Sequence, residues 1–233
     1  MEDKRKHIVV LTGAGISAES GIRTFRDSNG LWEEHDIMEV ASPEGWRKNR
    51  ELVLKFYNLR RAQMAEVEPN AAHKALSELE KAYRVTVITQ NVDDLHERAG
   101  STNIVHLHGE LTKVRSSMDP ALIYEWGYKE LNPGDKCEKG SQLRPHIVWF
   151  GELVPEIERA ADISRSADIF MVIGTSLQVY PAAGLMHYAP SHAAVYVIDP
   201  NAHELGAGPR VKIIAATATE AVPQLVQQLL NEA

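Results

Sequence analysis

Four short stretches of this 233-residue chain carry side chains whose types and spacing could do chemistry. Gly13-Ala14-Gly15-Ile16-Ser17-Ala18 follows an apolar run and forms a G-x-G-x-x-A pattern. Backbone N–H groups and a helix N-terminus there could approach a pyrophosphate, although a plain strand-to-helix turn would look the same. The continuation, Glu19-Ser20-Gly21-Ile22-Arg23-Thr24-Phe25-Arg26-Asp27, is a dense polar loop where a dehydrogenase would continue its helix. The ribose-binding acid of a dehydrogenase has no clear second strand to sit on, so hydride transfer is disfavoured.

Gln90-Asn91-Val92-Asp93-Asp94-Leu95-His96 follows another apolar run. Polar residues at the carboxyl end of a parallel strand are where such sheets hold ligands. Helix capping by Asn91 or Asp93 is the competing explanation, but Gln90 and Asn91 add amide donors and acceptors that a cap does not require. In Val105-His106-Leu107-His108-Gly109, strand alternation places both histidines on one face, and Gly109 is expected to let a ligand come close to His108. A histidine at a strand end beside glycine is a general-base candidate. In Phe56-Tyr57-Asn58-Leu59-Arg60-Arg61, Tyr57 and Arg60 are three apart and share a helical face. A phenol beside a guanidinium can bind a carboxylate, whereas a surface arginine next to a half-buried tyrosine is the plainer explanation.

The elements that must position these groups are legible in outline. Ile8–Leu11, Val85–Thr89, Ile169–Ile173 and Val195–Ile198 are apolar throughout, as strands buried on both faces of a parallel sheet are. Ile104–Leu107 and Ile147–Phe150 are weaker strand candidates. Helical periodicity marks Asn70–Tyr83 and Glu220–Asn231. The expected fold is α/β, a Rossmann-like doubly wound parallel sheet with helices on both faces. Two segments interrupt the alternation, and the expected division is a large domain of residues 1–30, 68–112 and 144–233 with a small domain of residues 31–67 and 113–143. A ligand cleft is expected between them.

Composition narrows the function classes. With Lys+Arg 25 against Asp+Glu 32 the net charge is -7, which disfavours a broad grip on nucleic acid or anionic lipid. No apolar run approaches spanning length, so neither a membrane span nor a secretory segment is expected. The single cysteine, Cys137, can form no internal disulfide, and the expected setting is a reducing cytoplasm. Nothing in the composition signals a stable dimer face, so a monomer is expected.

Five segments together resemble the sirtuins, NAD-dependent protein-lysine deacylases: Gly13–Arg26, Thr89–Gly100, His106–Gly109, Arg144–Glu152 and Gly174–Ala183. The resemblance implies an NAD-binding Rossmann-like domain, a small domain made of two insertions, and acyl-lysine peptide meeting NAD in the cleft. It implies the products nicotinamide and O-acyl-ADP-ribose. Carried over by position, it makes His108 the general base and assigns Asn91 a part in catalysis. It places Ala14, Ile16, Gln90, Asn91 and Asp93 in the nicotinamide pocket and Phe25 and Arg26 on the cofactor loop, with Gly13, Gly15 and Trp32 also contacting the cofactor. Gly174, Thr175 and Ser176 fall near the adenosine phosphate, and Ala218 near adenine. Asp199 or Asn201 is left to hold the adenine ribose. Val148, Trp149 and Phe150 fall on the substrate, and Val148–Glu152 is expected to pair with the peptide as an added strand.

Within that resemblance, Tyr57 and Arg60 match the Tyr-x-x-Arg signature of the class III group, which removes succinyl, malonyl and glutaryl groups. Most relatives hold the second insertion with four zinc-binding cysteines. Here only Cys137 stands in that stretch, and one thiolate cannot close a tetrahedral site. No structural zinc is expected. Asp119-Pro120 reads as a helix start, and Leu122, Ile123, Trp126 and Leu131 as a substitute apolar cluster. The rival readings are an NAD-dependent ADP-ribosyltransferase, a non-catalytic NAD-sensing or acyl-peptide-binding module and, more distantly, a dehydrogenase.

Overall fold

The computed structural model of the protein describes residues 4–22, 31, 32, 35–175, 177, 180–202 and 210–233, with the backbone alone at 31 and 32. In chain order the strands are β1 (His7–Thr12), β2 (Leu31–Trp32), β3 (His35–Asp36), β4 (Arg84–Thr89), β5 (Ile104–His106), β6 (Gly109–Ser116), β7 (Ile123–Glu125), β8 (Leu143–Ile147), β9 (Ile169–Ile173), β10 (Ala194–Ile198) and β11 (Val211–Ile214). The helices are α1 (Ala14–Ala18), α2 (Ile37–Val40), α3 (Pro43–Lys48), α4 (Arg50–Glu66), α5 (Ala71–Leu79), α6 (Leu95–Arg98), α7 (Ile157–Arg165) and α8 (Ala218–Asn231).

Six strands form one parallel sheet in the order β11-β10-β9-β1-β4-β5. From β1 the chain winds outward through β4 and β5, then returns beside β1 and winds the other way through β9, β10 and β11. That is the doubly wound arrangement whose ligands lie at the carboxyl ends, where the strand order reverses.

Period-two alternation sends side chains of one strand into two separate cores. Ile8, Val10, Val87 and Met171 pack on one face with Leu76 and Leu79 of α5 and Val222, Leu225 and Leu229 of α8. Val9, Leu11, Phe170 and Val172 pack on the other with Ala160 of α7 and Leu185 of the 3-10 stretch Ala182–Tyr188. Buried on both faces, the strands need apolar residues at every position, which is why they read as unbroken apolar runs.

A third core joins the two insertions. Val53, Leu54, Phe56 and Met64 of α4 meet Leu111, Val114, Leu131, Cys137, Leu143 and Ile147. The second insertion is an antiparallel sheet, β7-β6-β8. This sheet runs from Gly109 to Ile147, past the expected limits at 113 and 143, because β6 follows β5 after only two residues.

Three local expectations fail. Asp119-Pro120 starts no helix: the Asp119 carboxylate accepts the Ala121 N–H in a turn that leads into β7. Ile123 is exposed on the three-residue strand β7 instead of joining the apolar cluster, whereas Leu122, Trp126 and Leu131 do join it. The strand expected at Ile147–Phe150 lies earlier, at Leu143–Ile147, and the chain turns at Phe150–Gly151. Among the described residues, no helix is long and apolar enough to cross a membrane.

Candidate active site

One cavity of about 580 Å3 lies across the carboxyl ends of β1, β4, β9 and β10 and against the small sheet. That volume suits a small-molecule cofactor with part of a second ligand. At its floor two glycine turns interlock. The Gly13 N–H donates to Ile173 O at 3.0 Å and the Gly15 N–H to Gly174 O at 2.8 Å. A Cβ on Gly15 would lie 2.7 Å from Gly174 Cα, and Gly174 itself sits at φ +62. Only glycine fits such a close crossing, which opens the sheet end to a ligand's backbone. The amides of Gly13, Gly15 and Ile16 all donate within the protein, so the expected row of amides facing a pyrophosphate narrows towards Ala14.

Beyond β4, the Gln90–Asp93 turn is held on every side. Asn91 N–H donates to Thr89 Oγ1 at 3.0 Å, and the Asn91 side-chain amide donates to Gly13 O and Ser17 Oγ, each at 3.1 Å. Ser17 Oγ in turn donates to Asp93 Oδ2 at 3.0 Å, and the Leu95 N–H reaches Asp93 Oδ1 at 3.2 Å. Asp93 thus caps the next turn and faces the cavity as well. Burial pushes its carboxyl up, and the Leu95 and Ser17 bonds oppose that push. Gln90 Nε2 donates to Thr175 Oγ1 at 3.1 Å, tying this loop to the one after β9.

His108 stands at the centre. Its Nδ1 lies 3.0 Å from Gln90 O, and a carbonyl only accepts, so Nδ1 carries the proton and Nε2 is the basic atom. Burial lowers its pKa, with the Gln90 bond acting the other way. His106 does not share its face: β5 ends at His106, so the alternation stops there, and His106 lines a separate cavity with Glu97 and Glu110. Gly109 is also explained differently than expected. A Cβ there would lie 2.0 Å from His146 O, so the glycine admits β8.

Tyr57 and Arg60, from α4, line the same cavity as His108, together with Trp149. Tyr57 is buried, and its phenol is pushed up to about 12 by burial. It therefore stays protonated across the physiological range. Val148 and Phe150 also line the cavity. The Val148, Trp149 and Phe150 N–H groups already donate, to His108 O, the Glu152 carboxylate and Ala41 O. The expected added strand therefore finds no donor in those three residues.

The cavity also brings together Gly13, Ala14, Gly15, Gln90, Asn91, Asp93, Gly174, Thr175, Asn201 and Ala218. Ile16 is not among its walls and lies fully buried in the α5/α8 core. Asp199 is buried with its carboxylate accepting the Asn201 N–H at 2.9 Å, while Asn201 stands exposed at the rim. Phe25, Arg26, Ser176 and the Trp32 side chain lie outside the described residues. Ser17, which joins Asn91 to Asp93, was missed, as was His73, 3.5 Å behind it. A histidine on the apolar face of α5 was the available signal for the second.

Fold and site define a doubly wound α/β protein with a cofactor-sized cavity at its switch point and a histidine, His108, among the walls. Residues 13–181 match the Sir2 family model. The chain is 58% identical over 228 residues to an NAD-dependent protein deacylase of Helicobacter pylori, covering 98% of this chain and 99% of that one. It is 46% identical over 236 residues to an NAD-dependent protein deacylase of Escherichia coli K12, covering 98% and 84%. A Sir2 homologue solved with NAD superposes with TM-score 0.84 at 39% identity, over 98% of this chain and 91% of that one. The chain belongs to the Sir2 family. Its activity is NAD-dependent deacylation of protein lysine.

Proposed function

We propose that the enzyme is of the class III type and prefers acidic acyl groups, removing succinyl and malonyl as well as acetyl from lysine to give nicotinamide and O-acyl-ADP-ribose. The observation that carries this is the presence of Tyr57 and Arg60 in one cavity with His108. A protonated phenol and a guanidinium at the end of a largely apolar pocket form charge-assisted, directional bonds to a carboxylate.

The interlocked glycines bring the turns after β1 and β9 together at the cavity floor, where a Cβ on Gly15 or Gly174 would force them apart, and a dinucleotide would lie across that floor. When bound, NAD supplies an electrophilic ribose carbon beside nicotinamide. Gly174 and Thr175 would meet its adenosine-phosphate side, Asn201 and Ala218 its adenosine, and Ala14 its nicotinamide end, all of them walls of the one cavity. The braced Gln90–Asp93 turn orients the nicotinamide end, which needs a fixed geometry for the bond to break. His108 takes a ribose hydroxyl proton at Nε2, while Gln90 O holds its ring.

The small domain is proposed to stand without zinc, as hydrogen bonds already close its hairpin. Cys137 N–H donates to Ser141 O, Gly140 N–H to Cys137 O and Leu143 N–H to Asp135 O. The one cysteine accords with a reducing cytoplasmic setting.

Replacing Arg60 with Met tests the acyl assignment. Loss of a charged hydrogen bond to the substrate is expected to lower kcat/KM on succinyl-lysine peptide by about 10- to 100-fold while deacetylation persists. Unchanged desuccinylation kinetics would refute it.

A further inference from the structure

The acyl end of the cavity contains a chain of contacts that starts far from the ligand. Arg115 on β6 and Arg144 on β8 are cross-strand partners, an unfavourable pairing of like charges unless something lies between them. Glu152 does. Its carboxylate accepts from Arg144 at 2.7 and 3.1 Å and from Arg115 at 3.2 and 3.4 Å. The same carboxylate accepts the Trp149 N–H at 2.8 Å. The Arg144 guanidinium lies 3.3 Å over the Trp149 ring, and Trp46 packs against that ring with centroids 5.7 Å apart. Trp149 is 2% exposed, so its indole is gripped on its backbone and its faces. The indole N–H then donates to Tyr57 Oη at 3.0 Å.

That last bond fixes a direction. An indole nitrogen can only donate, so the phenol oxygen must accept from it. Among the described residues, no acceptor takes the phenol's own proton. The hydroxyl is therefore left as a donor in a cavity whose neighbouring wall residue is a guanidinium. Burial keeps the phenol protonated, with its pKa pushed up to about 12.

We propose that Trp149 is a positioning residue for acyl specificity: held by the Arg115–Glu152–Arg144 cluster, it orients the Tyr57 hydroxyl to donate to the carboxylate of an acidic acyl-lysine. This rests on the acidic-acyl reading above and extends it from the two ligand-facing residues to the group that aims one of them. Trp149 acts through Tyr57 and not on the reacting atoms.

The test is steady-state kinetics of the full-length enzyme with NAD on succinyl- and acetyl-lysine forms of one peptide, for Trp149→Phe, Tyr57→Phe, their double variant and Arg60→Met. Trp149→Phe keeps an aromatic ring and deletes only the indole N–H and part of the ring. Its succinyl-to-acetyl ratio of kcat/KM is expected to fall about 3- to 10-fold, the weight of one oriented hydrogen bond. The loss should appear in the succinyl KM, because this contact is made equally before and during reaction. Tyr57→Phe should lower the ratio similarly, and the double variant no further than Tyr57→Phe alone, since the indole acts only through the phenol. A Trp149→Phe ratio equal to the parent's, or losses that multiply in the double variant, would overturn the inference while Arg60→Met still lowers the ratio. If Trp149→Phe does not fold, an unchanged ratio in Tyr57→Phe overturns it. An unchanged ratio in Arg60→Met removes the acidic-acyl reading itself, and the inference with it.

Discussion

His106 and His108 are two positions apart, and their surroundings shift their pKa values in opposite directions. His106 has Glu97 Oε1 at 2.6 Å on one ring nitrogen and Asn91 O at 3.3 Å on the other. Burial alone would lower its pKa, but the Glu97 carboxylate outweighs that and raises it. Among the described residues the His108 ring has only Gln90 O as a partner, and burial lowers its pKa. The first ring lies between two acceptors, which favours its charged form, while burial favours the neutral form of the second, whose Nδ1 faces Gln90 O. Replacing His108 with Ala should lower kcat/KM about 10²- to 10⁴-fold, the usual weight of a general base, with peptide binding retained by calorimetry. The base works only when deprotonated, and its pKa is depressed. The acid limb of the parent's kcat/KM profile should therefore lie below the ordinary histidine value of 6.5. A limb above that value would contradict the environment assigned to His108. Sequence showed that one histidine here could be a base. It could not say which carbonyl each ring would meet, because those bonds close across strands.

At the scale of elements, what the sequence made plain were the pieces whose burial is uniform. β1 and β9 are buried at every position, and uniform burial leaves an unbroken apolar signature. Asn70 was read as the start of a helix, and it caps α5 through the Ala72 N–H while its amide reaches Ile16 O. β8 was misplaced because its sequence, LRPHI, hides a strand among polar residues: Arg144 is buried yet committed to Glu152 and Ile147 O. The second insertion was the least legible, since hydrogen bonds through turns hold it. Gln142 bonds Asn132 O and Gly134 N–H, and Asn58 of α4 clasps Leu131 through both its N–H and its carbonyl. Purified enzyme is expected to contain no stoichiometric zinc by metal analysis, and a strong chelator should leave its Tm unchanged. One zinc per chain, or a chelator-dependent fall in Tm, would show that a metal holds the insertion.

At the scale of the whole molecule, the reversal of strand order between β1 and β9 decides where chemistry can happen. It brings Gly13–Gly15 against Gly174, sets the Gln90–Asp93 turn beside them, and leaves the small sheet to carry Trp149 across from α4. The motifs at the sheet's carboxyl edge were readable because a close crossing of two backbones demands glycine, and a braced turn demands amide-bearing side chains, within short local runs. The proposed acyl end was only partly readable. Tyr57 and Arg60 lie one helical turn apart and show as a pair, whereas the indole bonded to Tyr57 comes from 92 residues away. No local periodicity links positions that distant. The most direct measurement is a mass-spectrometric assay of acetyl-, succinyl- and malonyl-lysine peptides with purified enzyme, with and without NAD. The expected result is acyl loss only with NAD, faster on the succinyl and malonyl peptides than on the acetyl one, with O-acyl-ADP-ribose formed in step. Acyl loss without NAD, turnover confined to acetyl-lysine, or ADP-ribose transferred to protein in place of that product would contradict the account.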